Sequence, residues 1–438
     1  MASPYAQHVT RQKEIHDQAL AAAGLSGVAI HAGALRIRFQ DDSPYPFAPN
    51  PNFLAWLPLD HHPDSWVVYA SGETPRAIYV QPDDYWHLPP ADPEGEWVDE
   101  FEVTVVKSAE EAQAALPPNR RDMAFIGEDE TLGRELGFGQ VNPPAVLLPI
   151  HYRRAYKTDY EVECLAEANR IAARAHRAAE QAFRAGASEF KIHMAYLRAA
   201  ELNDPELPYS SIVALNEHGA VLHYQALDRA APADARSFLI DAGARYRGYC
   251  SDITRTYARD AGEFADLITA MDERQRQLAD SCVPGKDFKA LHLAAHRHVA
   301  ELLSEFGLVN TSADEAYETG LSRLFLPHGL GHLLGIQVHD VGGFQAGPDG
   351  GEIDKPEGHP FLRLTRVLEP GMVTTIEPGL YIIPAILNPI RDEPQGRKIN
   401  WDKVDALAPY GGVRIEDDVL VTEDQPRNLS REAFAELD

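Results

Sequence analysis

Cysteine is scarce in this chain of 438 residues: only Cys164, Cys250 and Cys282 occur, with no CxxC pair. That excludes a disulfide framework and suits a reducing compartment. Basic residues are also few, with 40 Lys and Arg against 67 Asp and Glu, giving a net charge of −27. Such a chain repels a polyanion, which argues against a nucleic-acid groove. No apolar run is long enough to cross a bilayer and no secretory leader is visible. A soluble cytoplasmic protein without membrane attachment is therefore expected, and the sequons at Asn310 and Asn428 carry little weight. The chain also has no HExxH, so a thermolysin-like zinc site is not expected.

What remains is an ordinary globular composition, 44% hydrophobic and 24% charged, on a chain long enough for two domains. Ser3 before Pro4, an Ala-rich stretch and Gly24 bound a first helix. The runs "GVAIHAG", "SWVVYA", "RAIYV" and "MAFIG" read as strands, so residues 1–155 form a small α/β domain. A Pro-rich connection ends near Pro149, and Thr158 with Glu161 forms a capping box opening a long helix. Residues 156–438 alternate helices with strands, and "VTTIEPGLYI" and "GVRIEDDVLVT" each read as one strand. Helices segregated from hairpin-linked strands predict an α+β domain with a mainly antiparallel sheet.

The chemistry lies in four acids and a histidine-rich stretch. In "FLIDAGARYRGYCSDITRTY", a hairpin turning between Tyr246 and Arg247 sets Asp241 directly opposite Asp252. Facing carboxylates repel, and when buried they require a cation or a raised pKa. Glu377 interrupts the apolar "MVTTIEPGLYI", a strand closed by a Pro-Gly turn, and Glu416 interrupts "GVRIEDDVLV" on the strand face of Arg414. A single acid in a strand or hairpin is usually a solvated residue; four in apolar surroundings beside histidines are a candidate ligand set. "LFLPHGLGHLLGIQVHD" supplies His328, His332 and His339 within twelve residues. The glycines between them favour loop or strand over helix and let the backbone pass close to a metal or substrate. "GLGHLLG" departs from the dinucleotide fingerprint by one position. Cys250 is a small apolar filler rather than a nucleophile. Four carboxylates with one imidazole and no thiolate favour Mn²⁺ over Zn²⁺. Two ions about 3.5 Å apart on such a set carry out metal-assisted hydrolysis.

"IDAGARYRGYCSDITRTY", "LPHGLGHLLGIQVHD", "LEPGMVTTIEPGLY" and "GGVRIEDDVLVT", in this order, resemble the ligand segments of the pita-bread metallopeptidases. Within them the chain is similar to the bacterial Xaa-Pro dipeptidases (prolidases) and the related organophosphorus acid anhydrolases. The likeness extends to "DDSPYPFAPNPNFLAWLP" in the first domain. It implies a C-terminal pita-bread domain with a curved sheet, behind an N-terminal domain of the creatinase/prolidase type. It also implies that Asp241, Asp252, His332, Glu377 and Glu416 hold two divalent ions, Mn²⁺ ahead of Co²⁺ or Zn²⁺. His332 is selected because the family's ligand lies seven residues before a second histidine, here His339.

The same resemblance makes His223, His328 and His339 substrate-side groups, and Glu377 the carboxylate that relays a proton from a metal-bridging hydroxide. Arg414 orients the ligands, and Arg363 grips the carboxylate of an X-Pro dipeptide, as a planar guanidinium can. Tyr209, Asp42 and Trp86 match pocket positions, the last two reaching in from the other subunit of a homodimer. Side activity on P–F or P–O bonds is a further implication. The alternatives are an aminopeptidase P acting on longer X-Pro peptides, a metal-free creatinase-like enzyme, and a non-catalytic metal- or peptide-binding member of the fold.

Overall fold

The computed structural model describes residues 2–437. Its first helix, α1 (Pro4–Ala23), starts where the Ser3 hydroxyl accepts the Ala6 N–H at 3.1 Å. It ends at Gly24, whose φ of 68° is the left-handed cap that glycine adopts without strain. The chain divides into two compact units. One comprises Met1–Cys164 with Arg247–Tyr249 and Gln345–Gly351; the other comprises Leu165–Tyr246, Cys250–Phe344 and Glu352–Asp438.

The first unit is built on six strands: β1 (Gly27–His31), β2 (Trp66–Ala70), β3 (Arg76–Val80), β4 (Glu102–Val106), β5 (Met123–Ile126) and β6 (Gln140–Val141). Their order is β4-β3-β2-β1-β5-β6, with β1–β2 and β2–β3 antiparallel and the other pairs parallel. The four apolar runs read from the sequence are β1, β2, β3 and β5. The edge strand β4 escaped that reading because Glu102 and Val105 are exposed and no full apolar face marks it. The Pro-rich connection is in fact a helix, α2 (Pro144–Arg154), packed on α1. Pro144 occupies its first turn, where no N–H is needed, and Pro149 is tolerated inside it. The capping box is present: Thr158 N–H donates to Glu161 Oε2 at 2.8 Å and Glu161 N–H to Thr158 Oγ1 at 3.4 Å. It opens α3 (Asp159–Arg184).

In the second unit, α3 and α4 (Glu189–Ala200) cover one face of β7 (Ile212–Leu215) and β8 (Ser237–Asp241). Alternation along β8 sends Phe238 and Ile240 toward Phe183, Ile192 and Tyr196 of the helices. Each such buried side chain contributes about 1.5–3 kcal/mol. Leu239 and Asp241 therefore point to the opposite face. β9 (Thr254–Ala258) pairs antiparallel with β8. Against this layer lie α5 (Glu263–Asp280) and, beyond it, α6 (Phe288–Glu305). Three further ladders are also antiparallel: β10 (Val373–Ile376) with β13 (Asp417–Leu420), β13 with β14 (Arg427–Asn428), and β11 (Gly379–Tyr381) with β12 (Gly412–Arg414).

Two expectations are corrected here. Asp241 faces Thr254 rather than Asp252, because the hairpin turns one residue later than expected. Arg247 and Gly248 both have positive φ, 51° and 88°, the pair that a two-residue turn matched to strand twist requires. Moving the turn by one residue shifts the register by two. The strand carrying Glu416 is also broken, while the one carrying Glu377 closes at the expected Pro-Gly turn. Glu377 lies between β10 and β11, where Pro378 has no N–H to continue a ladder, and Glu416 lies between β12 and β13.

Candidate active site

The two breaks aim the acids inward. Glu416 leaves its strand yet keeps one bridge, its N–H donating to Thr254 O at 3.0 Å. The histidine-rich loop is drawn to β10: Thr375 N–H donates to His332 O at 3.0 Å, and Glu377 N–H to Leu330 O at 2.8 Å. A Cβ at Gly331 would lie 2.0 Å from Thr375 O, and one at Gly329 would lie 2.9 Å from Leu362 Cα. These glycines thus admit neighbouring backbone, where the sequence reading had them admit metal or substrate. The loop is not helical at His328 or His332.

Asp252, His332 and Glu416 are all buried and offer ligand atoms within 4.8 Å of one another. His332 Nε2 is 3.4 Å from Asp252 Oδ2 and 3.8 Å from Glu377 Oε1. Its Nδ1 lies 3.1 Å from Leu333 O, which places the proton on Nδ1 and leaves Nε2 facing the carboxylates. Asp241 lies beside them on Arg414, whose Nη2 donates to Asp241 Oδ2 at 2.6 Å. Arg414 also donates through Nε to Thr254 Oγ1 at 3.1 Å and through Nη1 to the Tyr381 hydroxyl at 2.8 Å. Thr254 Oγ1 in turn donates to Glu416 Oε2 at 2.7 Å.

Burial sets the electrostatics. It raises Glu416 well above the usual carboxylate range, and the charges of Asp252, Glu377 and Asp241 add to that. It pushes Glu377 to about 7, against the pull of His332 and Arg414. Asp241 is raised by burial even beside Arg414. Asp252 goes the other way: burial opposes its charge, but the hydrogen bond and charge of His332, helped by Tyr209, lower its pKa. Burial likewise works against the charged form of His332, and Asp252 reverses it, so His332 is raised.

This donor set fits divalent cations. Four acids share the site with one guanidinium, and burial, with their mutual repulsion, keeps three of them from ionising readily. Among the described residues, Asp241 Oδ1 is buried with no hydrogen-bond partner. A cation removes both defects at once.

The remaining candidates surround this cluster in part. The Tyr209 hydroxyl donates to Asp252 Oδ1 at 2.6 Å. His328 is half-buried; its Nδ1 donates to Gly329 O at 2.8 Å and its Nε2 accepts from the Tyr381 hydroxyl at 2.8 Å. Burial, then the charge of Arg414, lowers it to about 3, so it is neutral at physiological pH. The His339 ring meets that of His332 edge-on at 4.4 Å. Partial dehydration, then the charges of His332 and Arg363, lowers His339 to about 4. Arg363 and His223 are exposed, and both act electrostatically on His339. Asp42 and Trp86 belong to the first unit, where both are exposed. Cys250 is fully buried, its thiol donating to Ile336 O at 3.3 Å and pushed by burial to about 12, as an inert filler should be.

Sequence reasoning passed over Thr254, Tyr381 and Asp418. Tyr381 links Arg414 to His328. Asp418 Oδ2 accepts the Asp252 N–H at 3.1 Å and an Asn169 N–H at 2.8 Å, fixing the backbone of the Asp252 loop. The available signal was weak: Thr254 and Tyr381 stand two and four residues after acids already singled out.

Comparison with known proteins agrees with this geometry. The model for metallopeptidase family M24 matches residues 163–423, and the model for the Xaa-Pro dipeptidase N-terminal domain matches residues 3–152. The chain is 49% identical to a protein from Stenotrophomonas maltophilia named Xaa-Pro dipeptidase, over 98% of this chain and 97% of the relative. It is 49% identical to one of the same name from Xanthomonas campestris pv. campestris, over 98% of each. Its fold is that of an aminopeptidase from Pseudomonas aeruginosa, with a TM-score of 0.74 at 24% identity, covering 99% of this chain and 97% of the other. The chain belongs to metallopeptidase family M24, as a metal-dependent hydrolase with the pita-bread fold.

Proposed function

We propose that the chain is an Xaa-Pro dipeptidase, hydrolysing the imide bond of dipeptides that end in proline. The observation that carries this is the buried convergence of Asp252, His332 and Glu416, with Glu377 beside His332, in a chain 49% identical to proteins of that name. Asp241, Asp252, His332, Glu377 and Glu416 would hold two divalent ions, Mn²⁺ first among them because oxygen donors dominate. When bound, such ions polarise the scissile carbonyl and make water nucleophilic near neutral pH.

The chain's own groups do the rest. Arg363, exposed and close enough to His339 to lower its pKa, takes the substrate's terminal carboxylate as a bidentate pair. Glu377, beside His332, accepts a proton from the attacking water and passes it to the proline nitrogen as the C–N bond breaks. His339 and His223 supply hydrogen bonds to the developing oxyanion. His328, held neutral and oriented by Tyr381, sits near the proline carboxylate. Activity on P–F and P–O bonds of organophosphorus compounds is part of the proposal, since tetrahedral phosphorus resembles the same transition state.

We also propose a homodimer, with Asp42 and Trp86 facing the pocket of a second copy. Phe39, Tyr85, Trp86 and Leu88 are 89%, 87%, 76% and 94% exposed, a concentration of apolar surface that suits a partner. A cytoplasmic location rests on the three free, buried cysteines. Among the described residues, no helix is long and apolar enough to cross a membrane.

Turnover of Gly-Pro and Ala-Pro against X-Pro tripeptides, with Mn²⁺ present, tests the specificity. Dipeptides should be cleaved faster. Faster tripeptide cleavage would mean an aminopeptidase P instead, and no cleavage of either would mean a binding protein.

A further inference from the structure

α6 carries His292 and His296 one helical turn apart, each only 1% exposed. His359, half-buried on a loop of the same unit, reaches over them. The three rings meet at centroid distances of 4.7, 4.6 and 4.5 Å, each pair edge-on. His292 Nε2 is 2.8 Å from His359 Nδ1, and the three residues offer ligand nitrogens within 4.8 Å of one another.

Hydrogen bonding leaves this cluster unsatisfied. Among the described residues, neither nitrogen of His296 has a partner, nor does His292 Nδ1. A buried polar atom without a partner is rare and calls for an occupant. A third polar group, Glu189 with His218 and Asp228, shows the contrast. There Glu189 accepts from Leu215 N–H, His218, the Tyr224 hydroxyl and Asp228 N–H, so nothing is left over.

We propose that His292, His296 and His359 form a second metal site, separate from the carboxylate cluster, for a borderline divalent ion such as Zn²⁺, Ni²⁺ or Co²⁺. Three imidazoles with no carboxylate or thiolate suit these ions and disfavour Mn²⁺. Three protein ligands also leave an open position for water. The rings are available as ligands at neutral pH, because burial first, and then neighbouring positive charge, lowers His292 to about 3 and His296 to about 2. The charged or titratable groups acting on the cluster are Arg323 and His328. Arg323 is exposed, so water screens its repulsion of an ion. An ion here would pin the His359 loop to α6. Any effect on catalysis would follow only if Arg363, four residues on, grips substrate as proposed; binding itself is independent of that reading.

The test is metal content of the full chain after dialysis against Zn²⁺, compared with H359A and H292A. H359A alters a loop and should keep the fold, as circular dichroism would verify. The wild type should retain one more Zn²⁺ per chain than either variant, with equal Mn²⁺ uptake by all three. Co²⁺-loaded wild type should show visible absorption of a four-coordinate, imidazole-bound ion that H359A lacks. Equal Zn²⁺ content in wild type and folded H359A would overturn the site, whatever the peptidase assays show.

Discussion

Tyr381, four residues after Glu377, shows how an uncharged side chain can tie the site together. Its hydroxyl accepts from Arg414 and donates to His328, joining the arginine that holds Asp241 to a half-buried histidine. Tyr381→Phe keeps the packing and removes both bonds. Loss of such an outer partner typically costs about 10–100-fold in activity or metal affinity. We expect that drop in kcat with an unchanged melting temperature; a variant as active as wild type would remove Tyr381 from the network. Arg363→Lys keeps the charge and loses the planar fork. KM for Ala-Pro should rise with kcat little changed, and an unchanged KM would move the carboxylate grip elsewhere. At this scale the sequence singled out the acids and Arg414 and passed over Thr254 and Tyr381. Charged residues inside apolar runs stand out by themselves, whereas a Thr or Tyr in a strand looks like ordinary strand composition.

At the scale of elements, the histidine-rich loop depends on backbone contact with β10. Gly331→Ala would place a Cβ 2.0 Å from Thr375 O, a clash with backbone that no rotamer relieves. It should cost about 1–3 kcal/mol in denaturant unfolding and weaken metal binding by moving His332. A variant with wild-type stability and metal affinity would show that the loop has room to shift. Most helices and strands were legible because their boundaries carry local chemistry, such as Ser3 and Gly24 on α1 or Thr158 and Glu161 on α3. The register of β8 with β9 was not, since it turns on whether Arg247 adopts positive φ, which composition alone does not decide. The Pro-Gly turn after Glu377 was legible in the same way, whereas the break at Glu416 was not expected.

For the whole molecule, the acid cluster links stability to pH. Glu377 is raised to about 7, and Glu416 and Asp241 are raised as well, so the metal-free folded chain binds more protons than the unfolded chain between their pKa values. Stability from Glu377 is therefore fully present below the unfolded carboxylate range and is lost as pH rises through about 7, and the raised Glu416 and Asp241 act in the same direction. The neutral buried histidines, His328 among them at about 3, act in the opposite sense, losing stability as pH falls below about 6.5. Mn²⁺-loaded and metal-free protein share those histidines, so the difference between them reports the ligand groups, the acids together with the raised His332. The rise in melting temperature on adding Mn²⁺ should be larger near pH 7.5 than at about pH 5.5, and equal rises would contradict raised carboxylates.

The most direct measurement is Ala-Pro hydrolysis by chelator-treated protein, with Mn²⁺ then restored, for wild type and for Asp252→Asn. The account predicts that wild type loses activity and regains it with Mn²⁺. Asp252→Asn should stay folded, bind less metal and remain more than about 100-fold slower, since losing a ligand should exceed losing an outer partner. Hydrolysis by metal-free wild type, or near-wild-type turnover by folded Asp252→Asn, would contradict it.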